Sequence, residues 1–195
     1  MIREGLALVE PLVLASRSPQ RRAILTQLGV RFEVVEPAYE EVDPPGAAPE
    51  QLVVEHARGK ARSVDGEGRW VLGVDTTVAI DGRSLAKPAD EEEAAEMLRT
   101  LSGREHVVHS GLCLRGGATE IVRLASTRVR FRNIEQSDLD WYLASAEWRE
   151  RAGGYAVQGR GAAFVEGIDG DHSNVVGLPV TALVEALARA REAAG

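Results

Sequence analysis

One cysteine, Cys113, in 195 residues has nothing inside the chain to pair with, so an internal disulfide is excluded. Its setting in Gly111-Leu112-Cys113-Leu114 suggests a small buried residue. Positive charge is also short. The 23 Lys and Arg against 30 Asp and Glu leave a net charge of −7, which argues against broad nucleic-acid binding. No apolar run approaches the length of a membrane span, and Met1 to Glu10 is too polar for a signal peptide, so a cytoplasmic location is expected. Walker A, Gly-x-Ser-x-Gly and Rossmann glycine patterns are missing, as are internal repeats and low-complexity stretches. His56, His106, His109 and His172 show no zinc-like spacing. His106 and His109, three apart in a strand pattern, face opposite ways, so a histidine-based metal site is not expected.

The length is enough to bury a full core as one domain, or as two small lobes sharing a cleft. Apolar periodicity alternates between strand and helix. Ser18 is placed to cap a helix opened by Pro19 and stopped by Gly29, and Arg31 to Glu36 reads as a strand. An acidic Pro/Gly loop then leads to a second helix opened by Pro49. Trp70 to Ile80 is a β-branched apolar run turning at Asp81-Gly82 into Ser84–Ala86. Asp90 with Glu93 forms a capping box for the next helix, which Ser102-Gly103 ends. Strands over about 105–115 and 119–132, a helix over 135–146 and a last helix opened by Pro179 complete the pattern. Two hairpins interrupt the alternation, which predicts a mixed α/β sheet. Between Gly153 and Gly177 lie seven glycines, too many for ordinary elements unless close approach to a ligand or unusual dihedrals require them. Tyr155, Val157, Phe164, Val165 and Ile168 in that stretch suggest short buried strands between turns.

Charge supplies the candidate chemistry. Arg17, Arg21 and Arg22 crowd the start of the first helix, where the dipole is already positive and each uncompensated cation costs about 0.3–1 kcal/mol. A bound anion would reverse that sign, while a solvated basic turn is the bland alternative. Asp75 interrupts the most apolar strand, where a carboxylate is expensive unless a cation, a metal or several donors accept it. The acidic loop holds Glu36, Glu40, Glu41 and Asp43. One of them could join Asp75 in holding Mg²⁺, and the residues alone do not choose between Glu40 and Glu41. Lys60 reads as a surface lysine when taken alone. Lys87, held extended by Pro88, suits a phosphate oxygen as well as it suits solvent. Glu91, Glu92 and Glu93 complement a helix dipole, and Arg128, Arg130 and Arg132 share one solvent-facing strand side.

These pieces resemble a family. Leu14-Ala15-Ser16-Arg17-Ser18-Pro19 with Arg21, Val74-Asp75-Thr76-Thr77-Val78 through Leu85-Ala86-Lys87-Pro88, Leu101-Ser102-Gly103-Arg104, and Gly154-Tyr155-Ala156-Val157-Gln158-Gly159 through Asn174-Val175-Val176-Gly177-Leu178-Pro179 match, in order and spacing, the Maf proteins, nucleoside triphosphate pyrophosphatases. The resemblance implies a single ITPase-like α/β domain: an elongated, twisted mixed sheet flanked by helices, with two lobes around a central cleft. It implies hydrolysis of a triphosphate to monophosphate and pyrophosphate, with Asp75 as proton acceptor and Glu41 and Asp75 holding Mg²⁺ or Mn²⁺. By the same resemblance Ser16, Arg21, Lys60 and Lys87 contact phosphates, and Gln20, Thr76 and Gln158 set base preference. Thr76 and Gln158 look like the dTTP/UTP branch, since the 7-methyl-GTP branch usually has glutamine and glutamate there. Gln20 stands where the dTTP/UTP branch commonly has arginine, Ala86 where glycine is frequent, and Arg151 where lysine is frequent. Modified pyrimidine triphosphates are implied beside dTTP and UTP; broader or 7-methyl-GTP specificity, and a non-catalytic nucleotide-binding regulator of division, are the alternative readings. The implied partners are a nucleotide substrate and a second copy in a homodimer.

Overall fold

Four successive apolar residues make β1 (Leu12–Ala15), buried at every position as a strand covered on both faces must be. The computed structural model describes residues 10–194. In it the chain turns after β1 into α1 (Pro19–Gln27), whose Ser18 cap accepts from the Arg21 N–H and whose end is marked by Gly29 at φ 68°. β2 (Phe32–Val35) returns parallel to β1. α2 (Pro49–Arg62) then leads to β3 (Val71–Ile80), parallel to β1 on its other side. The β1-to-β2 and β2-to-β3 crossovers run in opposite directions across the sheet, so with right-handed connections α1 and α2 lie on opposite faces. Ile24 and Leu25 pack with Leu72 and Val74, whereas Ala57 and Ala61 pack with Val71 and Cys113.

The remaining strands are antiparallel. β4 (Arg83–Leu85) hairpins onto the end of β3, and α3 (Glu91–Leu101) leads to β5 (Glu105–Gly116) and β6 (Thr119–Phe131), which turn at Gly117. After α4 (Gln136–Leu143) come β7 (Val165–Asp169), α5 (His172–Val176) and α6 (Val180–Ala194). The sheet order is β2-β1-β3-β5-β6-β7, with β4 beside β3, which is the mixed α/β sheet expected. On the α1 face, two apolar clusters share the long strands. Leu72, Val74, Leu112 and Leu114 belong to one; Val78, Ile80 and Val108 belong to the other. At period two, Thr76 and Ser110 fall between them, a polar band across the middle of the sheet.

Four expectations differ from the structure. The glycine-rich stretch forms a single strand, β7; Ala152–Gly154 and Arg160–Phe164 are 3-10 turns instead. Gly153 and Gly154 take φ of 68° and 71°, which breaks an extended backbone, and Tyr155 and Phe164 are buried by edge-to-face packing with His106, Phe131 and Tyr142 rather than by strand pairing. The helix expected over 135–146 stops at Leu143, and the following turn carries Ala146 at φ 57°. Glu93 caps from a distance: Asp90 accepts from the Glu93 N–H, but the Glu93 carboxylate takes the Ala89 N–H instead of that of Asp90. Arg128 and Arg130 do face solvent, paired with Asp169 and Glu166 of β7, whereas Arg132, one residue past β6, is half-buried and donates to Asp138 and the Ala163 carbonyl.

Candidate active site

One edge of β3 is paired twice with a gap between. β1 covers Val71–Gly73 and β4 covers Val78–Ile80, leaving Val74 to Thr77 open on that side while β5 pairs the other edge from Val71 to Ala79. Asp75 and Thr76 therefore stand at the carboxyl end of β1, where the strand order reverses, the place at which open α/β sheets bind ligands. A cleft of about 660 Å³ opens there, within the usual size of a small-molecule site. Ser16, Gln20, Arg21, Lys60, Thr76 and Lys87 all line it, as do Glu41 and Asp75.

Alternation sends Asp75 to the α2 side of the sheet. Two glycines on that side allow α2 to lie close. A Cβ on Gly73 would sit 2.1 Å from the Ala57 carbonyl oxygen, and one on Gly111 equally close to that of Val53. Lys60, on the buried side of α2, thus reaches Asp75 Oδ1 at 2.5 Å and Glu41 Oε1 at 2.7 Å. The surface reading of Lys60 fails because its side chain is only 10% exposed and its ammonium is the junction of two carboxylates. Burial works to raise the Glu41 carboxyl pKa, but the Lys60 hydrogen bond and charge, helped by His56 and Lys87, outweigh it and hold it below the usual range. Between Glu40 and Glu41, it is Glu41 that faces the cleft.

Thr76 points to the opposite face and meets Arg21. The buried guanidinium donates through Nε to the Gly177 carbonyl at 3.0 Å, through Nη1 to Ser16 Oγ at 3.3 Å and through Nη2 to Thr76 Oγ1 at 3.2 Å. Thr76 Oγ1 lies 2.8 Å from Ser110 Oγ. Arg21 thereby ties α1, β3 and the end of α5 together. Burial lowers its pKa, against the attraction of Asp75 and Glu41. Ser16 Oγ also accepts the Ser18 N–H, which shapes the turn between β1 and α1.

Gln20 takes the Ser18 hydroxyl as a donor at 3.0 Å. Lys87 is at the opposite wall, largely exposed, with its ammonium 2.7 Å from Glu150. Arg149, Glu150 and Arg151 line that wall beside it. Gln158 is not brought to the cleft: it is exposed, on the turn between the two 3-10 segments.

Two cleft residues, His56 and Gly177, and the fully buried Ser110 behind Thr76 serve the site without being candidates from the sequence. His56 is 4% exposed and bridges Tyr39 Oη, 3.1 Å from Nδ1, and Asp43 Oδ1, 2.7 Å from Nε2. The signal was its position four residues before Lys60, which puts both on one helix face. Ser110 and the Gly177 carbonyl had no signal, since their use depends on register and on a loop's path.

A family model described as Maf-like protein matches residues 11–190. Proteins named dTTP/UTP pyrophosphatase from Myxococcus xanthus and Pelotomaculum thermopropionicum are 46% and 43% identical, each over 92% of this chain and over 92% and 96% of their own length. Another of that name, from Anaeromyxobacter sp., is 46% identical over 92% of this chain and 89% of its own. Of solved structures, a HAM1 protein from Coxiella burnetii is similar over 94% of this chain and 98% of its own, with TM-score 0.47 and 15% identity.

Proposed function

This chain belongs to the Maf family, and on that premise we propose that it hydrolyses nucleoside triphosphates, dTTP and UTP preferentially, to the monophosphate and pyrophosphate. The supporting observation is the junction of Asp75, Lys60 and Glu41 inside a cleft whose other walls carry Ser16, Arg21 and Lys87. A polyphosphate laid there meets cations from two sides and a carboxylate oriented from a third.

Two carboxylates from separate elements converge on one cation, Lys60, and both offer hard oxygen donors. That donor set fits Mg²⁺ or Mn²⁺, which take one or two carboxylates and complete their shell with water and substrate phosphates. Among the described residues no group of three or more His, Cys, Asp or Glu could hold a metal, so the substrate itself would supply part of the shell. When bound by Glu41 and Asp75, the ion would polarise phosphate oxygens and lower the pKa of water.

The remaining chemistry belongs to the chain. Asp75 accepts the proton of the water that attacks the α–β anhydride. A new phosphorus–oxygen bond forms, the bridging bond breaks, and pyrophosphate and monophosphate separate. Lys60 holds Asp75 in orientation, and Lys87 and the Ser16–Arg21 turn offset charge that grows on the phosphates, the dominant demand in phosphoryl transfer. Thr76, anchored by Arg21 and Ser110, and Gln20 would read the base; Gln158 would take part only after its turn moves inward.

Incubation with dTTP, UTP, GTP and 7-methyl-GTP, each with Mg²⁺, tests this. Release of monophosphate and pyrophosphate, fastest from dTTP and UTP, is the expected result. Binding without turnover would make the protein a nucleotide-binding regulator instead.

A further inference from the structure

The loop that carries Glu41 has no regular structure of its own from Glu36 to Ala48, and Glu41 itself is half exposed. Something must hold its carboxylate at Lys60. Three of the loop's side chains, Tyr39, Glu41 and Asp43, alternate along it and all reach α2. Tyr39 and Asp43 close on the two ring nitrogens of a single buried histidine, His56, one helical turn before Lys60.

The seat for this contact is Gly59. Glycine is among the weakest helix formers, and this one sits in the body of α2 without a positive φ to justify it. A Cβ there would lie 2.2 Å from Cε2 and 2.3 Å from Cζ of the Tyr39 ring. The glycine is a slot for the tyrosine. With the ring in it, the Tyr39 hydroxyl reaches His56 and the backbone between Tyr39 and Asp43 is pinned at both ends, with Glu41 in the middle.

We infer that Tyr39, His56 and Asp43, seated on Gly59, form a latch that presents Glu41 to Lys60 and Asp75. They are positioning residues, and their effect on turnover rests on the pyrophosphatase reading; their effect on the loop does not.

Gly59→Ala separates this from ordinary packing. Alanine improves the helix, so a merely structural glycine would leave the melting temperature unchanged or higher and the loop untouched. The latch requires instead that amides of residues 38–43 exchange hydrogen faster in the metal-free protein. It also requires that kcat/KM for dTTP fall by about 10- to 100-fold, the usual loss when a partner orienting a metal ligand is removed. Tyr39→Ala should show the same two changes, and adding Gly59→Ala to it should change neither further. Native exchange and turnover in Gly59→Ala, or losses that multiply in the double variant, would overturn the latch. Should Gly59→Ala fail to fold, Tyr39→Ala alone decides by the same readouts. Glu41→Gln tests the underlying reading separately: full activity there removes Glu41 from the chemistry, while the exchange data still judge the latch.

Discussion

Asp75 lies directly across the sheet from Gly111, and the missing side chain at Gly111 is what lets α2 pack low enough for Lys60 to reach the carboxylate. A methyl group on Gly111 would meet Val53 O at 2.1 Å, Val53 C at 2.4 Å and Val54 N at 2.6 Å, all backbone atoms that cannot step aside without moving the helix. Gly111→Ala is therefore expected to destabilise the fold by about 1–3 kcal/mol, the usual cost of overpacking. Each kcal/mol lowers Tm by about 2–4 °C in a chain of this size. Activity should fall beyond what the remaining folded fraction explains, because Lys60 is carried away from Asp75. A wild-type Tm in a thermal melt would show that the helix has room to spare.

Asp75→Asn keeps the shape and loses the base. The amide can still lie beside Lys60, which retains Glu41 as a partner, so the fold should persist and dTTP should still bind. Loss of a general base is expected to lower kcat by about 10²–10⁴-fold. Steady-state kinetics alongside calorimetric binding of dTTP check this, and turnover near the wild-type rate would remove Asp75 from the assigned role.

How far the sequence carries is clear from Asp75 and Lys60. Asp75 announces itself because a carboxylate in Val71-Leu72-Gly73-Val74-Asp75 has to be compensated. Lys60 does not, because its helix shows only that it borders the apolar face; what it meets is decided by how low α2 packs on Gly73 and Gly111. The strands and most helices were legible from apolar periodicity and from Ser18, Pro19, Pro49 and Asp90 at helix starts. The glycine-rich stretch was not, since burial of Tyr155 and Phe164 comes from aromatic packing, which leaves no period to read.

Lys87 offers a contrast with Lys60. Its pair with Glu150 is open to water on both sides, with side chains 62% and 79% exposed, so it contributes little to stability. The ammonium is free to exchange Glu150 for a phosphate at low cost. Lys87→Ala should leave the melting temperature unchanged and reduce kcat/KM for dTTP. Unchanged kinetics would return Lys87 to the surface reading that its sequence context also allowed.

Outside the cleft, a buried histidine ties the stability of the fold to pH. His106 is 1% exposed, its Nε2 is 2.9 Å from Tyr155 Oη, and Phe131 packs edge-on against its ring. Burial lowers its pKa from 6.5 to about 4. The folded state thus favours the neutral ring, while the unfolded chain binds the proton more readily. The stabilisation is fully present above pH 6.5 and is lost as pH falls from there towards about 4. Across that window the loss amounts to roughly 3 kcal/mol. Carboxylates titrate in the lower part of the same range, so the comparison must be with a variant that lacks only this group. Replacing His106 by leucine removes the titration while keeping an apolar side chain in the pocket. Urea unfolding followed from pH 7.5 down to pH 4.5 should give a steeper fall in stability for the natural chain than for His106→Leu. Parallel curves would mean that His106 is as readily protonated in the folded state as in the unfolded one.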